Sequence, residues 1–157
     1  MDSFPEMLNA FKVAVETGDA EAFTALFTAD ATYEDSVYGT FTGHAELKRM
    51  LRDIFHQDAR GFRWEMCDAV REGNIGYVNY RFSLQSAHPD AAVERALLKG
   101  CAQFIFKDGL ISVYKEWTSV AGTLMQLGVP DNVVLRFLKR ESKKLREDPD
   151  FAGYISD

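Results

Sequence analysis

Apolar positions near the start of the chain repeat at helical spacing. Phe4, Met7, Leu8, Phe11 and Val15 form one stripe, as expected for one buried face of a helix. Ser3-Phe4-Pro5-Glu6 reads as the helix start: Ser3 caps, Pro5 suits the first turn and Glu6 completes a capping box. Gly18 stops this helix, and Asp19 caps a shorter one carrying Phe23, Leu26 and Phe27. A first strand is predicted over Ala31 to Asp35, followed by a turn over Ser36 to Gly39. Gly43 then precedes a third helix with Leu47, Met50, Leu51 and Ile54 at i, i+3, i+4 and i+7.

The period then changes to two. GFRWEMCDAV places Phe62, Trp64 and Met66 on one face, and Glu72-Gly73-Asn74 reads as a hairpin turn. IGYVNYRFSLQS aligns Val78, Tyr80, Phe82 and Leu84. After a loop from Ala87 to Ala92, VERALLKGCAQFIF aligns Leu98, Ala102, Phe104 and Phe106. Lys107-Asp108-Gly109 is a tight hairpin signal. In LISVYKEWTS, strict alternation puts Ile111, Val113, Lys115 and Trp117 together, with Glu116 on the other side unless a bulge reverses the phase. Helices first and antiparallel strands later predict an α+β fold. Its expected form is a cone-shaped, curved, mostly antiparallel sheet with three N-terminal helices on the concave side. Residues 1–119 are read as this domain. Residues 120–157 are read as a C-terminal helical extension, with a long helix from Asn132 to about Glu147 that Pro149 ends.

Composition bounds the function. The 157 residues suit one domain, and aromatics at 13% suit either a core or the walls of a cavity for something flat and apolar. The net charge of −6 is uneven. Residues 136–146 carry six of the 18 basic groups and one of the 24 acidic groups, so the remaining 12 and 23 leave the rest at −11. An acidic body argues against a nucleic-acid partner, since phosphate binding needs a positive surface. No apolar run reaches the roughly 18 residues of a membrane span, so no membrane partner is expected. Cys67 and Cys101 show no metal or redox spacing and read as reduced residues of a cytoplasmic protein. MDSFPEMLNAFK does not read as a signal peptide. His44, His56 and His88 are scattered, and no metal set, phosphate loop or Ser-His-Asp arrangement stands out. The basic helix has an apolar stripe of Val133, Val134, Phe137, Leu138 and Leu145. It reads as docked on the acidic body or across a dimer, with an anionic partner as the alternative.

One run of motifs resembles the nuclear transport factor 2-like superfamily. It comprises Gly18, Asp19, Phe23, Leu26, Phe27, Asp30, Ala31 and Asp35, then Thr42, Gly43 and Leu47, and later the D-G-x-I hairpin into Lys115-Glu116-Trp117. Within that superfamily the chain is similar to ketosteroid isomerases and to SnoaL-type polyketide cyclases. The resemblance implies the cone fold, a homodimer through the outer sheet face and an internal pocket for a small apolar ligand. It also implies that any catalysis is cofactor-independent, of the isomerase, cyclase or dehydratase kind. Alternatives on the same fold are a non-catalytic ligand binder and a protein-interaction module, because fold does not settle function.

The resemblance also assigns residues. Ala31-Thr32-Tyr33-Glu34-Asp35 matches an isomerase segment whose final Asp is the general base, which puts that role on Asp35. An Asp beside an apolar cavity has its anion destabilised, so it becomes a stronger base. The isomerases' two oxyanion donors correspond to Phe11 and Ala102, neither of which can donate from its side chain. Tyr80, Tyr38 and Trp117 are candidates to replace them. The cyclases' last-strand carboxylate corresponds to Glu116, a second catalytic candidate. Tyr33, Tyr38, Trp64, Tyr80, Phe104, Lys115 and Trp117 are the candidate substrate-binding residues. Arg81, the mid-strand Arg that an epoxide hydrolase set would need, is on an outward face by alternation.

Overall fold

A computed structural model describes residues 3–87 and 91–155; His88 and much of the expected loop around it lie outside the described residues. Helices α1 (Phe4–Thr17) and α2 (Ala20–Thr24) lead into a hairpin of β1 (Phe27–Asp35) and β2 (Gly39–Thr42). Helix α3 (Gly43–Arg49) runs on through a π-helical turn, Met50–Phe55, into a short α4 (His56–Asp58). Four strands follow: β3 (Ala59–Glu72), β4 (Ile75–Ser86), β5 (Ala96–Lys107) and β6 (Leu110–Thr118). The C-terminal part holds α5 (Val120–Gln126), α6 (Asp131–Glu147), a 3-10 turn (Pro149–Phe151) and α7 (Ala152–Ile155).

The first helices begin where their caps direct. The Glu6 N–H donates to Ser3 Oγ at 3.3 Å, and the Ala22 N–H donates to Asp19 Oδ1 at 2.9 Å. Gly18 ends α1 at φ 74°, a conformation open to glycine at little cost. Strand β1 starts four residues before the predicted position. Phe27 pairs with Ile111 of β6, and the register then slips before Thr32 meets Val113. That irregular stretch has no alternation to read: Ala29 and Asp30 are both exposed.

The sheet runs β2-β1-β6-β5-β4-β3, and every neighbouring pair is antiparallel except β1 with β6. The expected α+β fold is therefore present, with a curved sheet and the helices of the N-terminal half on its concave side. Phe11 is at the centre of the core and fully buried. Its ring meets those of Phe23, Phe27, Trp64, Phe104 and Tyr114 at centroid distances of 5.3 to 6.1 Å. Phe104, a predicted ligand contact, belongs to this core and to the rings of Phe4 and Phe106. It does not line the cavity described below.

One residue sets the phase of β6. Ile105 pairs with Val113 and Phe106 with Ile111, which leaves Ser112 as an extra residue in β6. Its hydroxyl donates to the Ile105 carbonyl at 3.0 Å. A bulge of this kind reverses alternation beyond it. Ile111 and then Tyr114 are fully buried, whereas Trp117 is 54% exposed. The predicted inward set of Val113, Lys115 and Trp117 is thus corrected: Lys115 and Trp117 face outward, and Glu116 faces inward. Lys115 forms an ion pair with Glu34 at 3.0 Å on the outer side.

The outer sheet face leaves Val70, Tyr77, Leu97 and Trp117 exposed on four different strands. Helix α6 packs chiefly on α5, burying Val134, while Leu138 and Leu145 stay exposed. Among the described residues, no helix is long and apolar enough to cross a membrane.

Replacing Phe11 with Ala removes the ring on which five others converge. The expected loss is about 3–5 kcal/mol of unfolding free energy, measured as a lower urea midpoint at unchanged m-value.

Candidate functional site

A cavity of about 300 Å³ lies against the concave face of the sheet. Val15 of α1, Phe55 of the π-helical turn, and Phe62, Phe82, Leu84 and Leu98 of the sheet give it apolar walls. Helix α5 and the segment after it close another side with Val120, Leu124, Leu127 and Val129. That wall comes from the C-terminal segment, where periodicity alone indicated only a helix. Gln126 anchors α5 to the exposed backbone of β5: its Nε2 donates to the Leu97 carbonyl and its Oε1 accepts from the Leu97 N–H, both at 2.9 Å.

The polar end of the cavity is built by β1 and β6. Their parallel register sets Tyr33 beside Tyr114 and Glu34 beside Lys115. Side chains alternate along both strands. Tyr33 and Asp35 therefore share the inner face with Tyr114 and Glu116, while Glu34 and Lys115 share the outer. A single signal in the sequence marks this arrangement: Tyr33-Glu34-Asp35 and Tyr114-Lys115-Glu116 are both tyrosine-x-carboxylate. Tyr114 was missed because unbroken alternation turned it outward.

Asp35 both caps a turn and lines the cavity. Its Oδ1 accepts the N–H groups of Val37 and Tyr38, each at 2.7 Å, in the manner of an Asx turn. Among the described residues, Oδ2 has no hydrogen-bond partner. Burial raises the Asp35 pKa, and the two backbone N–H groups oppose that rise.

Glu116 is more fully held. Oε2 accepts the hydroxyls of Tyr80 at 3.2 Å and Tyr114 at 3.0 Å, and Oε1 accepts the Ser36 N–H at 3.3 Å. Ser36 also donates its hydroxyl to the Glu116 carbonyl at 3.1 Å, tying the two strands together. Burial, and after it the charge of Asp35, push the Glu116 carboxyl up to about 7. The three donated hydrogen bonds lower it again without cancelling that rise. Tyr33 stacks on Tyr114 at 4.3 Å, and burial holds both phenols well above their ordinary range, so they stay neutral donors.

Gly100 makes room for Tyr80. The two are cross-strand partners, and a Cβ at position 100 would overlap the Tyr80 hydroxyl. A mid-strand glycine marks such a close approach. Tyr38, at the cavity rim, donates its hydroxyl to Asp58 Oδ2 at 2.9 Å, and both line the cavity. Asp58 was not singled out from the sequence, and neither were Ser36 and Gly100. Trp64 lines the cavity beside Tyr80, at a centroid distance of 5.4 Å, and its buried indole N–H has no partner among the described residues.

Of the predicted contacts, Tyr33, Tyr38, Trp64 and Tyr80 line the cavity with Asp35 and Glu116, and Phe104, Lys115 and Trp117 do not. Arg81 pairs with Glu65 at 3.0 Å on the outer face. His44 and His56 contact the backbone carbonyls of Phe27 and Val15 at 3.0 and 2.8 Å, and neither lines the cavity. Among the described residues, no group of three His, Cys, Asp or Glu is arranged to hold a metal ion.

The fold is of the cone type, and it encloses an apolar cavity with two carboxyls at its polar end. The SnoaL-like domain family matches residues 8–114, and the chain belongs to that family. Solved structures agree on the fold. A hypothetical protein with a ketosteroid isomerase-like fold from Catenulispora acidiphila, in complex with trimethylamine, superposes with a TM-score of 0.74 at 20% identity. The match covers 83% of this chain and 98% of that one. An LEH-like epoxide hydrolase from M. tuberculosis gives a TM-score of 0.63 at 19% identity, covering 78% and 86%. TerC, co-crystallized with polyporic acid, gives 0.66 at 16% identity, covering 79% and 97%. A search of the curated proteins gives no match.

The raised Glu116 pKa has a consequence for stability. The folded chain keeps a proton on Glu116 between the ordinary value of 4.5 and about 7, where the unfolded chain has released it. Glu116 therefore costs stability increasingly as pH rises through that window. In Glu116→Gln this cost is absent. The melting temperature of the variant relative to wild type is expected to rise from about pH 5 to about pH 8, as read by calorimetry. A difference independent of pH would show that Glu116 titrates normally.

Proposed function

We propose that the chain is a cofactor-independent enzyme that moves a proton on a small, apolar, ring-bearing substrate, in an isomerase, cyclase or dehydratase type of reaction. The observation that carries this is the adjacent Asp35–Glu116 carboxyl pair at the polar end of an apolar cavity. Two carboxyls sharing a low-dielectric site divide their roles, one ionised and one protonated. Asp35 is the base: two N–H groups hold Oδ1, and Oδ2 takes the proton from the substrate. Glu116 is the acid: with a pKa of about 7 it is partly protonated at neutral pH, and it donates to the charge that develops. The proton on Asp35 then returns to another atom of the substrate. Tyr80 and Tyr114 orient Glu116 by their hydrogen bonds to Oε2. Structures of similar fold in complex with trimethylamine and co-crystallized with polyporic acid support a small molecule as the partner.

A second reading is a non-catalytic ligand binder in the same cavity. It is favoured by Phe11 and Ala102, which are fully buried where the isomerases that the chain resembles place their oxyanion donors. Deuterium exchange from solvent into the α-carbons of cyclic ketones and enones separates the two readings. Wild type is expected to accelerate exchange, with kcat/KM falling above about pH 7 as Glu116 loses its proton. Asp35→Asn is expected to lose at least about 100-fold in rate. Saturable binding of the ketones without acceleration of exchange supports the binder instead.

We also propose that a second copy covers the outer sheet face, where Trp117, Leu97 and Val70 are more than half exposed. These side chains are spread across β6, β5 and β3, so a partner that covers all three spans the width of the sheet. Sedimentation velocity is expected to find a dimer that Trp117→Glu converts to monomer with its far-ultraviolet circular dichroism unchanged. A wild-type monomer at micromolar concentration would overturn the assignment.

A further inference from the structure

We propose that the ligand of this cavity is an organic cation: a ring-bearing molecule with a protonated amine or quaternary ammonium group. This rests on the cavity being a ligand site, and it adds the charge that the ligand must carry. Three carboxyl groups line the cavity, those of Asp35, Asp58 and Glu116. Among the described residues, no Lys, Arg or His lines it. The cation adjacent in sequence, Lys115, is turned to the outer face by the bulge and spent on Glu34. Partly buried carboxylates without a cation are costly, and the usual remedy is a pairing charge. Here Asp35 Oδ2 has no partner among the described residues, so a donor brought by the ligand fits it.

The walls agree with the floor. Tyr38, Phe55, Phe62, Trp64, Tyr80 and Phe82 all line the cavity. Tyr38 meets Phe55 at 5.6 Å, and Trp64 meets both Tyr80 and Phe82 at 5.4 and 5.0 Å. Aromatic faces are negative and attract cations, quaternary ammonium above all. A bare inorganic cation has no use for such walls, and it would need a cluster of oxygen ligands. An anionic ligand would meet three carboxyls and no counter-charge. A volume of about 300 Å³ takes one ring with a substituted nitrogen. The charge suits the proposed proton transfer as well. A substrate that starts as an iminium ion ends the same step as a neutral enamine: the C–H pair becomes the new C=C bond, the C=N π pair returns to nitrogen, and Asp35 holds the proton.

Three benzyl probes test this: benzyltrimethylammonium, its neutral carbon isostere neopentylbenzene, and the smaller anion phenylacetate. Binding is followed by Trp64-reported fluorescence and by calorimetry on the whole chain. Benzyltrimethylammonium is expected to bind at least about tenfold more tightly than neopentylbenzene, and phenylacetate more weakly than both. Asp35→Asn is expected to remove most of that preference while leaving neopentylbenzene affinity within about twofold. Leu124→Trp, which fills the cavity from α5, is expected to weaken both probes. Equal affinity for the cation and its neutral isostere, or tighter binding of the anion, would overturn the charge assignment and leave the apolar cavity as a ligand site. If none of the three binds, that result overturns the ligand-site reading too.

Discussion

Strand β6 carries one residue more than its partner can match. Ser112 is pushed out of register between Ile111 and Val113, and its hydroxyl occupies the Ile105 carbonyl. Everything at the polar end of the cavity follows from that displacement. Before it, Ile111 points into the core. Beyond it, Tyr114 and Glu116 take the inner face, and Lys115 and Trp117 the outer. Without the extra residue, the same sequence would bury an ammonium group and an indole and present a carboxylate to solvent. Burying Lys115 unpaired would be costly, so the bulge is the arrangement in which the side chains of β6 agree with the rest of the core.

The parallel pairing of β1 with β6 turns two local patterns into one site. Each strand contributes tyrosine, a charged outer residue and a carboxyl. On the outer face the charges are opposite, and Glu34 meets Lys115. On the inner face the charges are alike, and among the described residues no Lys, Arg or His lines the cavity to neutralise them. The fold accepts this by holding Glu116 partly protonated and by supplying hydroxyl and N–H donors in place of a cation. Such arrangements are unfavourable for stability and are found where chemistry or recognition needs them. Glycine at 100 is part of the same accommodation, since it gives Tyr80 the space to reach Glu116 across the strand pair.

The C-terminal segment has two unlike halves. Helix α5 and the residues after it are a wall of the cavity, fastened to the open edge of β5 by Gln126. Helix α6 leaves that wall with one flank of its apolar stripe, at Val134, buried. Its basic groups lie away from the cavity, so they add nothing to the charge inside.

The repeating patterns of the chain determined the main helices and five of the strands, because helix and strand periods are local properties of side-chain spacing; the short β2 has too few residues to show a period. The caps at Ser3 and Asp19, the stop at Gly18 and the hairpin at Asp108-Gly109 were legible for the same reason. So were the inward faces of Trp64 and Tyr80, whose strands keep their phase where those residues sit; the place of Asp35 at a cavity was only what the resemblance implied. The inward turn of Glu116 was not legible, because a bulge depends on which carbonyl across the sheet needs a donor. Asp58 and the wall of α5 are brought to the cavity by packing between distant segments, which no spacing along the chain encodes. The neighbourhood of Asp35 and Glu116 was likewise decided only by tertiary structure: 80 residues separate Ser36 from Glu116 along the chain, and the parallel register of two strands makes them neighbours.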